Sequence, residues 1–136
     1  MFNGFFQKTY KKLSFEDVKH IISRPKDFVL ISTLPSNEQQ CLIQNTISDQ
    51  SEEKIINEYL NKYDFTPKFV IYGKNTNDIT VEVKAKQLSG LGFSEVYLYV
   101  GGMFEWLLLK DVYGEDEFPT TTKFLDILFY KAKPVL

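Results

Sequence analysis

The sequence predicts an α/β fold: three layers, with a mainly parallel central sheet and helices on both faces. Three observations predict it. The runs Phe28-Val29-Leu30-Ile31, Phe69-Val70-Ile71-Tyr72 and Val96-Tyr97-Leu98-Tyr99-Val100 are continuously apolar, as strands covered on both faces are. Segments of helical periodicity lie between them, the pattern of βαβ units. The chain of 136 residues, 43% hydrophobic and 25% charged, suffices for one domain that buries a core without a disulfide or metal staple. The expected organisation is a single domain over residues 1–136, with 114–136 as a C-terminal extension.

The elements follow in order. Ser14-Phe15-Glu16-Asp17 has the S-x-x-D form of a helix start, and Phe15, Val18, Ile21 and Ile22 recur at helical spacing. Arg24-Pro25 ends that helix, because the residue before proline avoids the α region. After the first apolar strand, residues 34–40 hold Pro35, Ser36 and Asn37 and read as a loop. Residues 42–47 form a short strand candidate. Asp49, with Glu52 three residues on, predicts the cap of a helix carrying Ile55, Ile56, Tyr59 and Leu60. Pro67 introduces the second apolar strand, and residues 73–78 form a polar loop. Residues 80–88 predict a helix despite the β-branched Thr80, Val81 and Val83, and Gly90 and Gly92 suit its end. Gly101-Gly102 breaks the third strand, and residues 103–110 predict a strongly apolar helix.

Composition removes whole classes of chemistry. Sixteen Lys and Arg against eighteen Asp and Glu leave a net charge of −2, so no global field holds nucleic acid or an anionic membrane. Arg24 is the only arginine, His20 the only histidine and Cys41 the only cysteine. No internal disulfide, cysteine-based zinc site or two-histidine metal site can form. No cofactor is expected. The start, Met1-Phe2-Asn3-Gly4-Phe5-Phe6, is too short for a signal segment before Lys8, Lys11 and Lys12, and no apolar run approaches the roughly 20 residues of a membrane span. A cytoplasmic protein is expected.

Residues 69–106 resemble the rhodanese-like domain family. The matching pieces are the strand ending in Val70-Ile71-Tyr72, a loop, a helix ending at Leu91-Gly92-Phe93, the Val96 strand, and Gly101-Gly102-Met103-Phe104-Glu105-Trp106. More loosely, Phe28-Val29-Leu30-Ile31 resembles the family's opening strand, and Ile43-Gln44-Asn45-Thr46-Ile47 stands where the family commonly has I-P-G-A-I. The run from Gly101 onward, through Tyr113-Gly114-Glu115-Asp116-Glu117-Phe118-Pro119-Thr120-Thr121, also resembles a subgroup from large DNA viruses and protists.

The resemblance implies a sulfurtransferase fold with its chemistry missing. Active relatives place a nucleophilic cysteine first in the loop after the central strand, where backbone N–H groups and a helix N-terminus cradle a persulfide. That position here is Gly73, which has no side chain to hold sulfur. The family's Asp-x-Arg after its first core strand corresponds to Ser32-Thr33-Leu34, so both charges are missing.

The leading site candidate is the loop Gly73, Lys74, Asn75, Thr76, Asn77 and Asp78. Such a loop can present successive N–H groups and the positive end of the following helix to a small anion. Asp78, at the start of that helix, can instead cap the same N–H groups and fill the pocket from within. Both readings stand on sequence. Cys41 is a candidate displaced sulfur carrier, but Gln39, Gln40 and Leu42 supply no charge to lower its pKa. His20 reads as a surface helix residue, and Glu115-Asp116-Glu117 as a solvated turn rather than a cation site. Phe124-Leu125-Asp126-Ile127-Leu128-Phe129-Tyr130 is apolar at six of seven positions, so it must pack on its own domain or on another protein.

The expected function is therefore a catalytically inactive binding or protein-interaction module with a small-anion pocket at residues 73–78. The partner would be an unknown protein or a second copy held through the apolar tail, with no nucleic acid and no membrane. The alternatives are a sulfurtransferase using Cys41, a phosphatase-like enzyme lacking the Cys and Arg such chemistry needs, and a structural or assembly protein.

Overall fold

The computed structural model describes residues 9–136; the apolar start at residues 1–6 and Lys8 lie outside the described residues. The elements are β1 (Lys11–Lys12), α1 (Phe15–Ile22), β2 (Phe28–Ser32), α2 (Asp49–Asn61), β3 (Lys68–Tyr72), α3 (Thr80–Gly90), β4 (Glu95–Tyr99) and α4 (Gly102–Tyr113). The described strands form one sheet in the order β1-β4-β3-β2, and every pairing is parallel.

Register sorts the side chains into two cores. Leu30 lies opposite Val70, which lies opposite Tyr97; one residue on, Ile31 aligns with Ile71 and Leu98. Because strand side chains alternate faces, Leu30, Val70, Tyr72 and Tyr99 pack on one side with Val18 and Ile21 of α1 and Met103, Trp106 and Leu107 of α4. Ile31, Phe69, Ile71, Val96 and Leu98 pack on the other with Ile56 of α2 and Val81, Ala85 and Leu88 of α3. This is the expected three-layer arrangement.

Local chemistry explains the boundaries. Ser14 and Asp17 form a reciprocal capping box at the start of α1, with the Ser14 N–H donating to Asp17 Oδ2 at 2.9 Å and the Asp17 N–H to Ser14 Oγ at 3.3 Å. Three expectations need correction, and one strand, β1, was not expected. Ser48, not Asp49, caps α2, since its hydroxyl accepts the Ser51 N–H at 3.2 Å. The helix expected at 80–88 runs on through Gly90, and the turn falls at Gly92, with φ +113°. Residues 42–47 make no strand: Asn45 has φ +71°, which breaks an extended run. Only single bridges remain there, Thr46 beside Leu30 and Ile43 beside Thr120. Finally, β1 has no apolar signal in the sequence; it is two exposed lysines on the sheet edge, continued by the Leu13 N–H to the Leu98 carbonyl at 2.7 Å.

Residues 118–130 join the α1–α4 core. Phe118 packs between Phe15 and Trp106, with ring centroids 5.6 and 5.0 Å away, and the Trp106 indole donates to the Pro119 carbonyl at 3.1 Å. The chain then passes residues 40–43, with the Thr121 N–H donating to the Leu42 carbonyl at 2.8 Å, and reaches a 3-10 turn at Ile127–Tyr130. Tyr130 is fully buried, while Leu125 and Leu128 are exposed.

Candidate functional site

Parallel α/β sheets place ligand sites beyond the carboxyl ends of their strands. Here β2 ends at Ser32 and β3 at Tyr72, side by side. The loop 73–78 leaves β3 at that edge, and α4 braces it from behind. The Met103 and Phe104 N–H groups donate to the carbonyls of Gly73 and Lys74, each at 3.0 Å. The first-turn amides of α4 thus bond loop carbonyls. Gly102, with φ +67°, permits this approach: a Cβ there would sit 2.6 Å from the Gly73 carbonyl oxygen.

Inside the loop, Asp78 occupies the centre. Its Oδ2 accepts the Lys74 N–H at 2.8 Å, and its Oδ1 accepts the Thr80 N–H at 3.0 Å and the Thr80 hydroxyl at 2.6 Å. A Cβ on Gly73 would lie 2.8 Å from Asp78 Cγ and 2.8 Å from Val81 Cγ2, so a side chain at position 73 has no room. The Asn77 N–H donates to Asn75 Oδ1 at 2.9 Å and the Asp78 N–H to the Asn75 carbonyl at 3.2 Å. Thr76 forms the exposed tip between them. The N–H groups of Lys74, Asn77 and Asp78 are therefore met by the loop's own carboxylate and amide oxygens.

Three segments absent from the sequence-level site complete it. Glu38 pairs with the Lys74 ammonium at 2.8 Å. Phe129 lies under the same ammonium, 4.5 Å from the ring centre, and the Tyr130 carbonyl accepts the Asn75 side-chain N–H at 2.9 Å. The Thr33 hydroxyl lies 2.8 Å from that of Thr80. Together these walls bound an open groove of about 620 Å³, which Lys131 and Lys133 also line. The apolar run at 124–130 and the Ser32-Thr33-Leu34 stretch after the first core strand were the sequence signals for these walls; nothing in the sequence marks Glu38.

The other candidates lie elsewhere. Cys41 is wholly buried among apolar side chains, its thiol directed to the Thr122 carbonyl at 3.5 Å, and it does not line the groove. His20 is exposed on α1. The acidic triplet diverges: Glu115 pairs with Lys110 at 2.8 Å and Glu117 with Lys19 at 3.0 Å. Three tyrosine hydroxyls are held neutral. Burial raises Tyr72, and burial followed by the Glu105 hydrogen bond at 2.6 Å raises Tyr99. Burial, with the Glu38 carboxylate adding, pushes Tyr130 up to about 12.

No family model and no curated protein matches the chain. Solved structures do. The chain is similar to the BH2092 protein from Bacillus halodurans (16% identity, 79% of this chain and 78% of that one, TM-score 0.59). It is similar to the single-domain sulfurtransferase RDL2 of Saccharomyces cerevisiae (17% identity, 83% and 98%, TM-score 0.57). It is also similar to the As-Sb reductase of Leishmania major (15% identity, 79% and 81%, TM-score 0.55). At these identities the likeness is one of architecture, and that architecture, a parallel α/β sheet covered by helices on both faces, is the rhodanese-like fold.

Proposed function

We propose that this chain is a rhodanese-fold domain that binds and does not transform, its ligand lying in the groove beside the 73–78 loop. One observation carries the reading: the Asp78 carboxylate fills the space in which a side chain at position 73 would stand. Without a side chain at 73 the loop carries no thiol, and Asp78 is seated on the Lys74 and Thr80 amides that a thiolate or a small anion would use. Cys41, shielded from solvent, has no access to a sulfur donor. No helix among the described residues is long and apolar enough to cross a membrane. A cytoplasmic setting suits a chain whose single cysteine has no internal partner.

The test is thiosulfate:cyanide sulfurtransferase activity and cyanide-releasable sulfur on the purified full chain. Neither is expected. Turnover that disappears in Cys41→Ser would replace this reading with the sulfurtransferase one. The assembly reading draws on Leu125 and Leu128, exposed by 82% and 64%. Sedimentation of the full chain tests it: a concentration-independent monomer removes it.

A further inference from the structure

We infer that the groove beside the 73–78 loop takes an acidic peptide segment in extended conformation, an inference that rests on the binding reading above. Its charges divide unevenly. Both carboxylates that line it are engaged, Glu38 by the Lys74 ammonium at 2.8 Å and Asp78 by the Lys74 and Thr80 donors. Lys131 and Lys133 also line it, are exposed, and have no ion-pair partner among the described residues. Three lysines face two carboxylates, so the groove is locally cationic on a chain whose net charge is −2. The backbone at Lys131 is extended, with φ −64° and ψ 155°. In extended chain, residues two apart point the same way, which agrees with both lysines lining one groove.

The occupant is a peptide rather than a free small anion for two reasons. A small anion needs converging N–H donors, and those of Lys74, Asn77, Asp78 and Thr80 are taken by Asp78 and Asn75, those of Met103 and Phe104 by the Gly73 and Lys74 carbonyls. The groove, at about 620 Å³, is far larger than one oxyanion and has an apolar side where Leu128 is exposed by 64%. Carboxylates alternating with apolar side chains, at the period of two of an extended strand, match the lysines and the Leu128 side chain that line the groove.

The test uses the ¹⁵N-labelled full chain, titrated at constant ionic strength with three probes. These are a blocked pentapeptide alternating glutamate and leucine, the same peptide with lysine for glutamate, and inorganic phosphate. The glutamate peptide should move the amides of Lys74, Asn77 and residues 128–133, and its affinity should fall at least tenfold in the double variant Lys131→Glu/Lys133→Glu. The lysine peptide and phosphate should leave those amides in place. No response to the glutamate peptide, an equal response to the lysine peptide, displacement by phosphate, or an affinity unchanged by charge reversal in a folded variant would each overturn the inference. Sulfurtransferase turnover is measured separately, so its presence would remove the non-catalytic reading while leaving the peptide titration to stand or fall alone.

Discussion

The carboxylate of Asp78 sits over the Cα of Gly73, at the mouth of the central strand β3, and accepts the N–H of the next residue, Lys74, at 2.8 Å. The two positions are complementary: the glycine makes room for the carboxylate, and the carboxylate replaces what a cradled ligand would supply to the loop amides.

Gly73→Cys should therefore fail to create a sulfurtransferase. Forcing a side chain against Asp78 and Val81 should cost about 1–3 kcal/mol. Asp78→Gly alone orphans the Lys74 and Thr80 amides and should cost about 1–3 kcal/mol. The double variant relieves the clash, so it should be more stable than the sum of the singles by about 0.5–3 kcal/mol. Urea denaturation of all four proteins reads this coupling, and strict additivity would show that the two residues do not compete for one space.

Two buried tyrosines should respond oppositely to loss of the hydroxyl. Tyr72 Oη accepts the Ile43 N–H at 3.1 Å and bonds the Thr46 hydroxyl at 2.7 Å, tying residues 43–46 to the sheet. Tyr72→Phe should cost about 1–3 kcal/mol by orphaning a buried amide. The Tyr130 hydroxyl is buried with no hydrogen-bond partner among the described residues, so Tyr130→Phe should be neutral or stabilising. Thermal denaturation of the pair separates them; a large loss in Tyr130→Phe would mean that its hydroxyl is bonded in solution.

Alkaline pH should unfold the protein early. Burial raises Tyr72, Tyr99 and Tyr130 above the ordinary phenol value near 10, Tyr130 to about 12. A raised folded pKa means that folding favours the protonated form. The stabilisation is complete below about pH 10 and is lost as pH rises from there through about 12. Denaturation midpoints at pH 8, 9, 10, 11 and 12 should be level up to about 10 and then fall. A level curve to pH 12 would show that these hydroxyls ionise as freely as in the unfolded chain.

Cys41 should be inert while the fold is intact. With its side chain fully buried, modification by an aromatic disulfide reagent waits on local opening. The thiol should react at least a hundredfold faster in denaturant than in buffer. Cys41→Ser should retain the fold, and rapid native modification would place the thiol within reach of solvent.

The apolar runs alone marked the strands β2, β3 and β4, because cover on both faces leaves a continuous hydrophobic signature. Ser14 and Asp17 marked the start of α1, since a capping box is local chemistry. Gly73 was equally plain: a residue without a side chain cannot be a nucleophile in any fold. What tertiary structure decided was non-local. The pair Lys11–Lys12 became a strand only because β4 left an edge for it, and residues 42–47 lost theirs to the left-handed Asn45. The choice between an open and a filled loop turned on which way one carboxylate faces, and composition does not encode direction. The groove joins Thr33, Lys74 and Lys131, residues nearly a hundred positions apart. It exists because the 3-10 turn ending in Tyr130 buries that ring in the α1–α4 core, and the Tyr130 carbonyl, bonded to Asn75, holds the tail against the 73–78 loop.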